Sequence, residues 1–204
     1  MFLMVILLML AANNSYSNRE QLEEAVNDTE RAIRFGMDES ALRNVIIRLH
    51  FFHDEEPVEY ALEYGPSDNF VLPLSLIEEQ ELEDEKELRK SASKKFNKDF
   101  NKIQEFQDSN KKLPNNIKLI GVGSKLTKRL ITEFHSSVYL FPTGEKDSSI
   151  LIFASDEEIA ELTLEGFTDD YEVKYHKLKP DLPEDEIEEK QQEKALELFE
   201  EWIK

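Results

Sequence analysis

The chain has 204 residues, a length that fits one or two small domains with an apolar core. Its formal net charge is −19, from 44 acidic and 25 basic residues, and this balance disfavours general binding to nucleic acids or to anionic membranes. The chain contains no cysteine, which excludes disulfides, thiolate metal sites and a cysteine nucleophile.

The first twelve residues, MFLMVILLMLAA, carry no polar side chain. A membrane-spanning helix needs about 20 apolar residues, so this run is short for an anchor and typical of the central part of a signal peptide. Ser15 and Ser17 supply small residues before a cleavage point at Asn18, although no basic residue precedes Arg19. We predict that residues 1–17 are a signal peptide or an N-terminal membrane anchor. The protein is then exported, to the periplasm or outside the cell, or tethered to a membrane.

Residues 18–75 are predicted to form an N-terminal α+β region. Leu22, Val26 and Ile33 recur at helical spacing, and Gly36 is the predicted end of this first helix. Residues 44–52 fit both a helix and a strand, and their β-branched and aromatic residues favour a strand.

A small antiparallel meander is expected over residues 44–74. Alternating apolar residues from Val58 to Tyr64 predict its second strand. The sequence GPSDN is typical of a turn, and FVLPL at residues 70–74 can form the third strand.

Residues 76–112 are predicted to form a long charged helix and a linker. The first half of the segment is acidic and the second half is basic, an order that complements the helix dipole. Phe96, Phe100, Ile103 and Phe106 provide one apolar stripe along this helix, which is predicted to run over residues 76–108.

Residues 113–180 follow the order strand, helix, strand, strand, helix, strand. The predicted strands are 117–121, 137–141, 149–153 and 171–178, and the predicted helices are 124–134 and 156–166. This order predicts a ferredoxin-like βαββαβ unit with a four-stranded antiparallel sheet. Residues 181–204 are predicted to form an acidic amphipathic C-terminal helix. The whole chain is predicted to belong to the α+β class.

One loop has the composition of an anion site. In IGVGSKL, Gly121 and Gly123 precede Ser124 and Lys125, between a predicted strand and a predicted helix. Backbone N–H groups, a helix N-terminus and a lysine together can bind phosphate. However, neither the Walker spacing nor the third glycine of a dinucleotide fingerprint is present. A sharp turn, with Gly123 at positive φ and Ser124 as a helix cap, is the favoured interpretation, and the four residues are a candidate anion site.

Two further groups of residues have the composition of a site. His50 and His53 can share a metal only if their segment is helical, because residues three apart in a strand point to opposite faces. Phe199, Trp202 and Ile203 are a candidate partner-binding surface on the C-terminal helix, although such a stripe usually faces the protein's own core.

No residue is assigned a catalytic or metal-binding role, and no cofactor is expected. The sequence predicts a non-enzymatic protein that binds an unidentified protein partner, does not bind nucleic acid, and meets a membrane only through its N-terminal segment. Two alternatives stay open. One is a small anion- or nucleotide-binding domain, or an enzyme, that uses the loop from Gly121 to Lys125. The other is an intracellular acidic inhibitor or immunity-type protein.

Overall fold

The fold begins with a long helix, α1, which runs from Phe2 to Arg43. The computed structural model describes residues 2–65, 100–104, 106, 110–168, 170–178 and 183–204, with side chains from residue 18 in α1 and from residue 186 in the C-terminal helix. The buried apolar side chains of α1 recur every three or four residues, so one face of the helix packs against the protein. They are Leu22, Ala25, Val26, Ala32 and Ile33.

Two antiparallel sheets follow α1. The first sheet contains β1 Ile47–Phe52, β2 Glu59–Tyr64, β3 Asn101–Lys102, β4 Lys111–Lys112 and β7 His135–Leu140. β1 pairs with β2 on one side and with β7 on the other, while β3 and β4 both pair with β2.

The second sheet has the spatial order β10-β9-β8-β5-β6. Its strands are β5 Lys118–Ser124, β6 Arg129–Ile131, β8 Ser149–Ala154, β9 Glu158–Leu164 and β10 Tyr171–Lys177. A second helix, α2, runs from Glu184 to Trp202.

One apolar core joins α1 to the inner faces of both sheets. Phe51 and Leu62 from the first sheet and Phe153 and Leu162 from the second are buried in the same cluster as Leu22 of α1. α2 covers the opposite face of the second sheet. There, Leu198 and Phe199 pack with Ile150 and Ile152 in a separate cluster.

None of the helices within the described ranges combines the length and the apolar character needed to cross a membrane.

The predicted α+β class is confirmed by two helices and ten strands in the part of the chain that the structure describes. The strand favoured for residues 44–52 is β1, and the C-terminal helix is α2. The third strand of the predicted meander, at residues 70–74, lies outside the described residues.

The predicted helix over residues 156–166 is wrong, because this segment forms β9. Ala160, Leu162 and Leu164 alternate along the strand and enter the shared core. Ile159 faces the other way, into the cluster under α2. In the predicted helix, Ile159 and Leu162 would lie on the same face, whereas in β9 they lie on opposite faces of the sheet.

The predicted helix over residues 124–134 is also wrong. A turn follows β5, with Lys128 at φ 53°, and the chain returns as β6. Val122 of β5 pairs with Ile131 of β6. Residues 113–180 therefore hold β5 to β10 in place of the ferredoxin-like order, and β7 pairs with β1 in the first sheet.

Gly36 does not end the first helix. α1 continues to Arg43 and stops before Asn44, whose φ of 53° is the left-handed conformation common just after helices. A Cβ atom on Gly36 would lie 2.6 Å from Leu140 Cδ1 and 3.1 Å from Leu62 Cδ2. The glycine therefore lets α1 approach the first sheet closely.

The long charged helix predicted within residues 76–112 lies largely outside the described residues. Its predicted end is corrected, because Asn101–Lys102 forms a strand paired with β2. Phe100 and Ile103, assigned to the helix stripe, are instead buried beside this strand. The division of the chain into five segments stays a prediction.

Candidate functional site

The glycine loop that resembled an anion site is part of a β-hairpin. Gly121 and Gly123 lie inside β5, and neither has a positive φ. A Cβ atom on Gly123 would lie 2.5 Å from Cδ2 of Phe199 and 2.8 Å from Cγ2 of Ile150. A glycine is therefore required at position 123 because the Phe199 ring of α2 packs directly against the backbone of β5. The predicted positive φ of Gly123 is wrong.

The polar residues of this hairpin bond within the chain. The Ser124 hydroxyl donates to Asp147 Oδ1 at 2.8 Å and accepts from the backbone N–H of Leu126 at 3.0 Å. Lys125 Nζ lies 3.2 Å from Glu165 Oε1 and 5.1 Å from the centre of the Trp202 ring. The favoured interpretation, in which the glycines turn the chain into a helix capped by Ser124, is wrong: Gly121 to Ser124 lie in β5, and the turn comes after them, at residues 125–128, before β6. No helix N-terminus follows this turn. The anion site stays a prediction without that support.

Asp147 is a buried carboxylic acid beside this hairpin. Burial raises the pKa of its carboxyl to about 7, and the hydrogen bond from Ser124 offsets part of that rise. Its backbone N–H donates to the carbonyl of Tyr139 at 2.7 Å, so Asp147 links the second sheet to β7. The neighbouring Lys146 is also buried, and its ammonium donates to the carbonyl of Thr168.

The aromatic end of α2 packs mainly on its own sheet. Phe199 is buried, while Trp202 and Ile203 are half-buried against the same cluster. The structure thus places these three candidate partner-binding residues next to the glycine hairpin. Their role in binding a partner stays a prediction.

The two histidines of HFFHDEE bond to adjacent serines of β7. His50 Nδ1 lies 2.7 Å from Ser137 Oγ, and His53 Nε2 lies 2.8 Å from Ser136 Oγ. Because neighbouring residues of a strand point to opposite faces, these bonds lie on opposite sides of the first sheet. The expectation that the histidines do not share a metal in a strand is consistent with this placement. The described residues contain no group of three or more metal-ligating side chains.

Both histidines are neutral at pH 7. Burial lowers the pKa of His50 to about 2, with the Arg48 charge acting in the same direction. Burial also lowers the pKa of His53 to about 4, and the Asp54 carboxylate offsets part of this effect. A neutral imidazole can accept a proton from a serine, but Ser136 is only 2% exposed, too little to meet a substrate. The two hydrogen bonds join β7 to β1, through His50, and to the turn that follows β1, through His53.

A buried ion pair on the first sheet was not found by sequence reasoning. Arg48 of β1 lies directly opposite Glu63 of β2, with Nε and Nη2 at 2.8 and 2.6 Å from Oε2. The guanidinium lies 3.8 Å from the centre of the Phe100 ring. Such a pair could be predicted from two oppositely charged residues that face each other on adjacent strands. That prediction requires the strand register, which could not be read from the sequence.

One end of the second sheet exposes two large apolar side chains, Leu126 and Phe167, here called the apolar tip. Phe167 is 85% exposed and Leu126 is 50% exposed. The loops that carry Leu126 and Phe167 both form hydrogen bonds with Ser148. The N–H of Lys125 donates to the Ser148 carbonyl, and the N–H of Gly166 donates to the Ser148 hydroxyl. The two loops are thus bonded through backbone N–H groups to the carbonyl and the hydroxyl of Ser148, while the apolar groups of the tip face solvent.

Replacing Gly123 with alanine is expected to lower the free energy of unfolding by about 1–3 kcal/mol, the usual cost of overpacking a core. The new methyl group would displace the Phe199 ring, which a Cβ would approach at 2.5 Å. Chemical denaturation measures the loss. Combined with Phe199→Ala, the change is expected to cost less than the sum of the two single losses. A Gly123→Ala variant within about 0.5 kcal/mol of wild type would contradict this packing.

Comparisons of the chain with protein-family models, with curated proteins and with solved structures found no match.

Proposed function

We propose that this is a non-enzymatic protein that binds another protein through the apolar tip and is exported or tethered to a membrane by its N-terminal segment. The observation that carries the binding proposal is the exposure of Phe167, at 85%, at the same end of the second sheet as Leu126, on loops that are hydrogen-bonded to Ser148. Aromatic side chains that anchor protein interfaces sit in pockets of the partner, and ordered loops reduce the entropy lost on binding.

The other polar clusters support a binding role over catalysis because Ser136, Ser124 and Arg48 are buried, which keeps them from a substrate. Ser136 bonds to His53, Ser124 bonds to Asp147, and Arg48 bonds to Glu63. The partner is proposed to be a protein, since the net charge of −19 disfavours nucleic acids and anionic membranes. Its binding surface would offer an apolar pocket for the Phe167 ring.

The apolar run MFLMVILLMLAA supports the export or tethering part of the proposal. Among the described side chains of α1, which begin at residue 18, the buried apolar ones run from Leu22 to Ile33, and cleavage before Asn18 would leave these in the folded protein. Burial of residues 1–17 would favour an intracellular protein, but the side chains of these residues lie outside the described ones.

The double variant Leu126→Ser/Phe167→Ser is expected to lose the partner that wild type retains in cross-linked purification from the native host. A matched control is Leu42→Ser/Leu196→Ser, because these leucines are 79% and 51% exposed at other places on the surface. The control should retain the partner at the wild-type yield. Equal recovery by both double variants, or no specific partner with wild type, would contradict the proposal.

A further inference from the structure

β10 is a seven-residue strand at one edge of the second sheet. It pairs with β9 on one side, and no strand within the described ranges pairs with its other side. The opposite edge of the second sheet, β6, has only three residues. β7, at the edge of the first sheet, is already engaged there by Asp147 and by a bridge from Leu140 to Lys146. Edge strands of this kind can pair with another strand.

The backbone of β10 shows which residues face outward. The N–H of Leu178 donates to the carbonyl of Glu157 at 2.8 Å, in the same register as the rest of the β9–β10 pairing. Because hydrogen-bonding direction alternates along a strand, even-numbered residues of β10 direct N–H and C=O toward β9. Val173 and Tyr175 therefore direct theirs toward the side away from β9.

The side chains at this edge have a self-complementary order. Glu172 and Lys174 flank Val173, and their side chains are 63% and 51% exposed. Their charged groups lie 3.0 Å apart along the strand, and the hydrogen bond to Glu172 raises the pKa of Lys174. Val173 is half-buried at the margin of the shared core. The edge thus presents an acid and a base at equal distances from one apolar residue.

We propose that β10 pairs antiparallel with β10 of a second copy of this chain, about a two-fold axis through Val173. Glu172 of each copy then lies opposite Lys174 of the other, in non-hydrogen-bonded positions where Cα atoms are about 4.5 Å apart. The two Val173 residues exchange backbone hydrogen bonds on the axis. The second sheets of the two copies join into one continuous sheet.

Charge selects this register over its neighbours. Moving the axis to Lys174 places the two lysines opposite each other, and moving it to Glu172 does the same for the two glutamates. Like charges directly opposite each other destabilise a strand pair, whereas opposite charges stabilise it. The net charge of −19 on each copy acts against association at long range, but at 0.15 M salt the Debye length is about 8 Å and distant charges are screened.

Sedimentation equilibrium of the full chain in about 0.15 M salt tests the dimer directly. Wild type is expected to be dimeric. Lys174→Glu is expected to weaken the dimer about 10-fold, equivalent to about 1.4 kcal/mol, because it creates two opposed glutamate pairs. The charge exchange Glu172→Lys/Lys174→Glu restores both opposite-charge pairs and should return the dissociation constant to near the wild-type value. Circular dichroism confirms that each variant is folded.

Cysteine cross-linking tests the register independently, since the natural chain has no cysteine. Val173→Cys is expected to form an intermolecular disulfide under mild oxidation. The residues on the axis lie about 5.5 Å apart between Cα atoms, within the range for disulfides. Glu172→Cys is the control, because it faces Lys174 of the second copy and should not cross-link. A monomeric wild type at ~100 μM, no rescue by the charge exchange, or equal cross-linking of both cysteine variants would overturn the proposal.

Discussion

Replacing Phe153 with alanine is expected to lower the free energy of unfolding by about 3–5 kcal/mol. Phe153 is 0% exposed on the inner face of β8, between Leu119 of β5 and Ala160 of β9. Truncation removes its contacts in the core shared by α1 and both sheets, and leaves a cavity that neighbouring strands cannot fill without moving.

Urea denaturation followed by circular dichroism measures the loss at Phe153. Phe167→Ala is the control, because the same ring is removed from a side chain that is 85% exposed. The control is expected to stay within about 0.5 kcal/mol of wild type. A similarly small loss for Phe153→Ala would show that the two faces of β8 are assigned the wrong way round.

Replacing Arg48 with methionine is expected to cost about 3–5 kcal/mol, because the buried Glu63 carboxylate would lose its charged partner. The two side chains are 2% and 9% exposed, so water cannot replace the lost contact. Replacing both residues, as Arg48→Met/Glu63→Met, should cost less than Arg48→Met alone, since no unpaired charge stays buried.

The same denaturation measurement applies to Arg48. Lys194→Met is the control, because Lys194 forms its ion pair with Glu197 on α2 with side chains 31% and 55% exposed. An exposed pair of this kind contributes about 0–1 kcal/mol. If Arg48→Met costs no more than the control, or the double variant is the less stable, the ion pair does not have the assigned role.

The sequence predicted most strands but not the elements that connect them. Alternating β-branched and aromatic residues identified β1 and β2, and apolar runs identified β5, β7, β8 and β10. β9 was missed because SDEEIAELTLEG is rich in helix-forming glutamate, alanine and leucine, and Ile159 and Leu162 also fit a helix. Pairing with both β8 and β10 overrides that local preference.

The candidate site could be predicted only in part, since its geometry depends on packing between distant segments. The sequence favoured a turn at Gly121 to Lys125 that leads into a helix, whereas the structure has strand β5 through Ser124 and then a hairpin turn into β6. The reason for Gly123, however, is the Phe199 ring from α2, 76 residues further along the chain. Likewise, the Arg48 pair and the histidine–serine bonds follow from strand register, which composition and spacing do not determine.

The mature N-terminus of the protein from its native host is the most direct test of the central claim that the chain is exported or tethered. Intact-mass and N-terminal peptide mass spectrometry of soluble and membrane fractions makes the measurement. The account predicts a chain beginning at Asn18, or an uncleaved chain confined to the membrane fraction. An intact chain beginning at Met1 and recovered entirely in the soluble fraction would contradict it.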